Sequence, residues 1–179
     1  MKNASRFTEI RRKLNSRSIR AFARTLPWPY NGMVNDVLGS IQTGGNYLAA
    51  LGLASYTEIC GRQIFFDGDN NKKDWECYNK FIEYMDSGEI LKKKLKFEEK
   101  DILFKDAVRN GLVHRYFMKV GSGAVAMSSS KAEAQKTGFV IKEPNQVVMV
   151  VIPYFVLFCG ALKMARDQGL LKWNRKICG

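Results

Sequence analysis

The spacing of apolar side chains predicts helices through the first two thirds of the chain. Apolar residues recur every three or four positions in residues 31–62, 74–86 and 101–117, as expected of helices that bury one side. The glycine-containing residues 43–46 interrupt the first stretch, which is therefore one long helix or a pair of helices. Small side chains between residues 49 and 54 would let another helix approach closely.

The pattern changes to short apolar runs after Lys119. Residues 123–127, 138–141 and 147–152 are predicted strands. Pro144 lies between the last two runs, where a type I turn favours proline, so these two runs are predicted to form a β-hairpin. The serines and charged residues of 128–136 predict a mobile loop between the first two runs.

A final helix is predicted over residues 153–168. Pro153 suits its first turn, and Gly169 suits its C-terminal cap. The uncharged run 147–162 is shorter than the ~20 residues of a membrane-spanning helix, and Pro153 and Gly160 interrupt it. We interpret this run as a buried strand followed by a buried helix.

Three features between the predicted helices have alternative interpretations. The lysine-rich and glutamate-rich residues 89–100 fit either a solvated helix face or a rim that faces phosphates. Residues 67–73 begin with acids as a calcium loop does, but the glycine and the terminal glutamate lack the required spacing, so no metal site is predicted. Glu58 lies in an apolar turn, and such an acid is more typical of a surface or an ion pair than of catalysis.

Residues 1–30 predict a basic N-terminal arm with two short amphipathic helices, because apolar side chains recur at helical spacing on both sides of residues 15–16. Pro27 and Pro29 end the second helix. The arm could clamp RNA phosphates, lie on a membrane, or dock its apolar side on the core with the arginines solvated. Its arginine and serine content also resembles an organelle transit peptide, which the proline stop makes the weaker interpretation.

Composition favours one domain with appendages. A chain of 179 residues with 46% apolar content can bury one core but is short for two. The net charge of +12 implies an anionic partner, and eight basic residues against Glu9 place +7 of it in the first 27 residues. The four cysteines contain no CxxC pair, which disfavours a zinc signature or a dense disulfide framework and favours reduced thiols in a cytoplasmic protein.

The only histidine belongs to a short motif on the third predicted helix. Arg109, Asn110 and His114 form an RNxxxH pattern, which resembles the signature of the HEPN superfamily. Many members of that family are helical-bundle ribonucleases that need no metal. The looser RxxxxH pattern would arise easily in an arginine-rich chain, and the adjacent asparagine makes the match more specific. Tyr116 and Phe117 also resemble the way the motif is embedded near the end of the penultimate long helix.

The resemblance covers about residues 31–170 and implies a mainly α, HEPN-like helical bundle. A small antiparallel β insertion, at about residues 122–152, would precede the last long helix and departs from the minimal bundle. Residues 1–30 then form the arm, and residues 171–179 form a basic C-terminal tail. The family also implies a homodimer, an RNA or other nucleic-acid partner, an antitoxin or regulatory partner, and no metal or cofactor.

The motif has the groups that metal-free RNA cleavage requires. When the 2′-hydroxyl attacks the neighbouring phosphorus, a group that titrates near neutral pH must move a proton and a cation must stabilise the phosphorane. His114 suits the first role, Arg109 the second, and Asn110 can orient the imidazole or bind a phosphate oxygen. Arg115 and Lys119 would help to bind the RNA. The alternatives are a non-catalytic HEPN-like module that binds nucleic acid, nucleotide or protein, or an ordinary histidine beside a surface arginine.

Helix geometry constrains the catalytic interpretation. Asn110 and His114 share a side of a regular helix, but Arg109 and His114 differ by roughly 140° around its axis and cannot converge. Either Gly111 marks a distorted helix or residues of two chains grip one phosphate. In the HEPN family the motifs of two protomers commonly meet at a two-fold cleft, so the resemblance implies a homodimer whose cleft contains both copies of the motif.

Overall fold

Helices form most of the chain that the computed structural model describes, which is residues 17–86, 94–97, 100–103, 124–129, 131–142 and 146–172. The helices are α1 (Arg17–Arg24), α2 (Tyr30–Gln42), α3 (Asn46–Phe65), α4 (Asp74–Asp86), α5 (Ala132–Thr137) and α6 (Val151–Asp167). The strands are β1 (Lys94–Phe97), β2 (Lys100–Leu103), β3 (Ala124–Ala126), β4 (Phe139–Lys142) and β5 (Gln146–Val150). The prediction of a mainly helical protein with a small sheet before the last long helix is confirmed.

Helix α3 lies at the centre of the bundle and packs against α2, α4 and α6. The interruption at residues 43–46 separates α2 from α3, so the helix-pair interpretation is correct. Ala49, Ala50 and Ala54 are fully buried, as their small size predicted. The closest approach occurs further along, because a Cβ atom on Gly61 would lie 1.9 Å from the backbone oxygen of Cys77 on α4.

The three-stranded sheet has the order β3-β5-β4. Strands β4 and β5 form the predicted antiparallel hairpin, with Val140 opposite Val148. Strand β3 instead runs parallel to β5, so the prediction of a wholly antiparallel insertion is wrong. The chain returns to the sheet through α5 and β4 before β5 begins, which allows β3 and β5 to point the same way.

Side chains of β5 alternate between two apolar clusters. Val147 and Met149 join the main core, whereas Val148 and Val150 join a smaller cluster with Ala134 of α5. This alternation is the period of a strand. The uncharged run 147–162 is a strand followed by a helix, as predicted, and most of it is buried, although Val156 and Gly160 are exposed.

Helix α5 corrects the prediction of a mobile loop over residues 128–136. Ala132 and Ala134 favour helix, and Glu133 lies in the first turn, where a negative charge is stabilised. Gly138 follows in the left-handed conformation, with φ of 76°. The buried side of this short helix rests on the sheet, which is a tertiary contact that local composition does not reveal.

The pair β1 and β2 corrects the start of the predicted helix 101–117. The strands run antiparallel, with Lys94 opposite Leu103 and Lys96 opposite Asp101. Charged and apolar residues alternate in Lys94–Phe97, which is the period of a strand rather than of a solvated helix face. Residues 104–117 of that predicted helix lie outside the described residues.

Helix α6 ends as the sequence predicts. The Gly169 amide donates to the Arg166 carbonyl, and the Leu170 amide donates to the Ala165 carbonyl. With Gly169 at φ of 70°, these two bonds form a Schellman motif. The helix begins at Val151, so Pro153 lies within its first turn rather than at its first position.

Helix α1 is docked on the bundle. Ala23 and Leu26 are buried, and Ile19 and Phe22 pack against the same core. The other predicted helix of the arm, at about residues 7–14, lies outside the described residues. Within the described part of the chain, we find no helix with the length and apolar content to span a membrane.

Candidate functional site

All five predicted site residues fall between β2 and β3. Arg109, Asn110, His114, Arg115 and Lys119 lie in residues 104–123, which are outside the described residues. The described residues on either side of this segment are Leu103, at the end of β2, and Ala124, at the start of β3. Ala124 pairs with Val148 in the sheet, so the segment that carries the motif is joined directly to the buried part of the protein.

Helix α1 presents a strongly basic surface. Its eight residues contain Arg17, Arg20 and Arg24 and no acid, and all three arginines are exposed. At 100° per residue these arginines fall within an arc of about 60°, whereas Ile19 and Phe22 fall on the opposite side and Ala23 lies between the two sides. We call the three arginines the basic face. The apolar side of α1 therefore packs on the core, and the basic face is exposed to solvent.

Contacts to α6 and α2 fix the orientation of the basic face. The Arg166 guanidinium lies 5.6 Å from the centre of the Phe22 ring and donates a hydrogen bond to Thr25 Oγ1. Arg20 donates a hydrogen bond of 3.0 Å to Gln42 Oε1 of α2. Arg166 also pairs with Asp167, which Lys163 approaches to 3.7 Å. These contacts hold α1 against α2 and the end of α6.

An exposed tryptophan lies next to this surface. Trp28 follows α1 by four residues, between Pro27 and Pro29, and 67% of its surface is exposed. Among the large apolar side chains that the structure describes it has the highest exposure. The sequence analysis treated residues 26–29 only as a helix stop and missed this side chain. An aromatic residue between prolines beside a basic helix was the available signal.

The acidic loop at residues 67–73 is held by the protein itself. Arg62 Nη1 donates hydrogen bonds to the carbonyl oxygens of Asp69 and Lys72, and its Nη2 pairs with Asp74 at 2.6 Å. Within the described residues, no group of three or more histidine, cysteine, aspartate or glutamate side chains could hold a metal ion. The hydrogen bonds of Arg62 therefore hold this loop as a structural turn.

The described cysteines are free thiols that burial keeps protonated. Burial raises the pKa of the Cys159 thiol to about 12 and raises the pKa of Cys60 further. Burial also raises the pKa of Cys77, although the nearby Arg62 charge opposes the shift. Because the thiolate is the reactive form, none of these three is suited to nucleophilic chemistry near neutral pH.

Glu58 does not form a catalytic group with these residues. It is half-buried on α3, and its negative charge helps to raise the pKa of Cys77, after the effects of burial and of Arg62. Thr57 beside it is fully buried and shares a 2.8 Å hydrogen bond with the Tyr154 hydroxyl. This end of α3 therefore contributes to the packing of the bundle.

Comparisons with protein-family models, curated proteins and solved structures found no match to this chain. The resemblance to the HEPN superfamily therefore rests on residues 109–117 and their place in the chain. The fold itself defines a mainly helical protein with a small mixed sheet.

Proposed function

We propose that this protein is a metal-independent endoribonuclease with a HEPN-like site. His114 moves the proton, Arg109 stabilises the charged phosphorane, and Asn110 orients the imidazole or binds a phosphate oxygen. The observation that carries the proposal is the RNxxxH spacing of the only histidine in a chain of net charge +12. Such a charge favours encounter with RNA.

The proposed site is formed by two copies of the chain. On a regular helix Arg109 and His114 are roughly 140° apart, so one helix cannot aim both at the same phosphate. A two-fold cleft places the arginine of one copy beside the histidine of the other. Arg115 and Lys119 then contact the RNA backbone on either side of the cut. A monomer in solution that still cleaves RNA would exclude this arrangement.

The chemical test is cleavage of a labelled RNA in the presence of a chelator. We expect products with 2′,3′-cyclic phosphate ends, because the attacking group is the neighbouring hydroxyl. His114→Ala should lower the rate by about 100-fold or more, since general acid-base catalysis contributes 10² to 10⁴. Lys136→Ala, on the exposed side of α5, is the matched loss of a basic side chain and should leave the rate unchanged. Activity that requires a divalent metal would contradict the proposal.

A second candidate is a non-catalytic HEPN-like module that binds nucleic acid. Strand β2 occupies residues 100–103, where the predicted motif-bearing helix should begin, so the chain departs there from an all-helical bundle. The basic face of α1 would serve such a module equally well. Retained RNA binding, with no cleavage of several RNA sequences by the wild-type protein, is the result that selects it.

A further inference from the structure

We propose that the basic face of α1 and the exposed ring of Trp28 form a binding surface for single-stranded RNA, composed of other residues than the motif at 109–114. The surface binds backbone phosphates through Arg17, Arg20 and Arg24 and stacks a base on the indole of Trp28. The choice of RNA over DNA rests on the proposed function. The surface itself selects a single-stranded polyanion with accessible bases.

The positive charge of α1 is the first observation that supports an RNA-binding surface. The three arginines lie on one side of α1, and the eight residues of that helix include no acid. From Arg17 to Arg24 the helix rises about 10 Å, so the arginines form a short row rather than one point of charge. A phosphate backbone is a row of negative charges, and each cation that contacts it releases bound counterions. The basic face is therefore complementary to a polynucleotide.

The exposed indole ring of Trp28 is the second observation that supports this surface. Trp28 is 67% exposed, and its Cα atom can lie no more than about 14 Å from that of Arg24, because it follows Arg24 by only four positions. Surfaces that bind single strands combine a basic track with aromatic side chains on which bases stack. A duplex keeps its bases paired and stacked, so it would contact the arginines but gain little from the indole.

The burial of the apolar side of α1 is the third observation, and it disfavours a membrane as the partner. Amphipathic helices bind membranes by burying their apolar side among lipid chains. In this protein Ala23 is fully buried, and Ile19 and Phe22 pack on the core. Arg166 covers Phe22 and bonds to Thr25, which holds the helix in that orientation. The helix therefore has its charge, but not its apolar side, available to a partner.

The test measures binding of a fluorescent 20-nucleotide poly(U) RNA to full-length protein by anisotropy at several salt concentrations. Arg17→Gln with Arg24→Gln should weaken binding by about tenfold and lower the salt slope by about 1.4, since each lost contact to a single strand removes about 0.7. Arg20 is left in place because it bonds to Gln42. The control, Lys73→Gln with Lys136→Gln, removes two exposed charges from α5 and the segment before α4 and should change binding less than twofold.

Trp28→Ala tests the stacking contact. It should weaken poly(U) binding by about tenfold and leave binding to a duplex of the same length nearly unchanged. Trp75→Ala removes the other exposed tryptophan of the described chain, which is 39% exposed, and should have little effect on either. Thermal melting of each variant checks that it is folded.

Each outcome decides the proposal. Equal binding by the arginine double variant and its lysine control would overturn it, as would no RNA binding by the wild-type protein. Flotation with anionic phosphatidylserine vesicles that depends on Arg17 and Arg24, without RNA binding, would assign the surface to a membrane and overturn it too. Because binding is measured apart from cleavage, loss of the proposed ribonuclease activity with retained arginine-dependent RNA binding would leave this surface standing. If Trp28→Ala weakened binding to poly(U) and to the duplex equally, the proposed preference of this surface for single strands would be wrong.

Discussion

Two helical glycines differ sharply in what surrounds them. A Cβ atom on Gly61 would meet the Cys77 backbone oxygen at 1.9 Å, whereas a Cβ atom on Gly160 would meet nothing within 4 Å. Backbone atoms cannot move aside as the end of a side chain can. Gly61 therefore permits the close packing of α3 on α4, and Gly160 only adds flexibility to α6.

Gly61→Ala should destabilise the protein by about 3 kcal/mol or more, because the added methyl group forces two helices apart. Urea unfolding followed by circular dichroism measures the change. Gly160→Ala is the matched control and should stabilise by about 0.5–1 kcal/mol through its higher helix propensity. Equal stabilities of the two variants would contradict the close approach of α3 and α4.

The buried hydroxyl pair of Thr57 and Tyr154 gives a second residue-scale prediction. Removal of either hydroxyl leaves its fully buried partner without this bond, so Thr57→Val and Tyr154→Phe should each cost about 1–2 kcal/mol. The double variant should lose less stability than the two single variants added together. It removes both hydroxyls, so neither is left behind without the hydrogen bond between them. A strictly additive double variant would show that the two hydroxyls do not interact.

Single residues also show the limit of sequence-based prediction at this scale. The sequence predicted that the small side chains of residues 49–54 let another helix approach closely, and the alanines among them are buried. It did not mark Gly61, because the need for glycine there depends on the path of the α4 backbone. Contacts of that kind join residues distant in sequence and leave no local pattern.

At the scale of elements, one side chain of α6 helps to hold α1 on the bundle. Arg166 stacks on Phe22 and donates a hydrogen bond to Thr25, and its charge is balanced by Asp167. A helix of eight residues is too short to be stable alone in water, so tertiary contacts must hold it.

Arg166→Ala should therefore loosen α1 without unfolding the bundle. We expect amide exchange in α1 to become about fivefold faster, with little change in α3 or α6, because the lost contacts are worth about 1 kcal/mol. Hydrogen exchange with mass spectrometry measures this by segment. Lys163→Ala removes an exposed cation from the same helix and is the control. Unchanged protection of α1 in the Arg166 variant would show that the apolar contacts alone hold it.

Tyr56 links α3 to α2 and gives a pH-dependent prediction. Burial, followed by the 2.9 Å hydrogen bond to Asp36 and the charge of that carboxylate, raises the pKa of Tyr56 to about 12. Because the pKa is raised above its ordinary value of 10.0, this contribution to stability is complete below pH 10 and is lost as pH rises through 12.

Ultraviolet titration of the phenolate, taken as the difference from Tyr56→Phe, reports the midpoint directly. Asp36→Asn should move it towards 10, since the variant removes the negative charge but leaves the burial. An unchanged midpoint in the Asp36 variant would show that burial alone raises the pKa.

Elements with a long, consistent period were predictable, and short ones were not. Helix α4 and the break between α2 and α3 follow from apolar spacing and glycine placement. Helix α5 has six residues, and β1 and β2 have four each, so their patterns fit more than one structure. Their conformations depend on pairing and burial against other elements. The parallel direction of β3 beside β5 is likewise a property of chain topology, which a local pattern does not contain.

At the scale of the whole molecule, the sequence and the structure contribute different parts of the proposed function. The sequence supplies the motif, because the spacing of Arg109, Asn110 and His114 is visible without a fold. The structure supplies the basic face and Trp28, because only the docking of α1 shows which of its sides remains exposed. The proposal combines them in a protein that binds a single strand through one set of residues and cuts it with another.

The central claim is that a working site takes Arg109 from one copy and His114 from its partner. The most direct measurement mixes two single variants, Arg109→Ala and His114→Ala, refolds them together, and assays RNA cleavage with a chelator present. Each variant alone should be nearly inactive. The mixture should regain about one quarter of wild-type activity, because half of the dimers are mixed and each mixed dimer has one complete site of two. A mixture that stays inactive while the wild-type protein cleaves would contradict the shared site, and a wild-type protein that cleaves no RNA would contradict the proposed function.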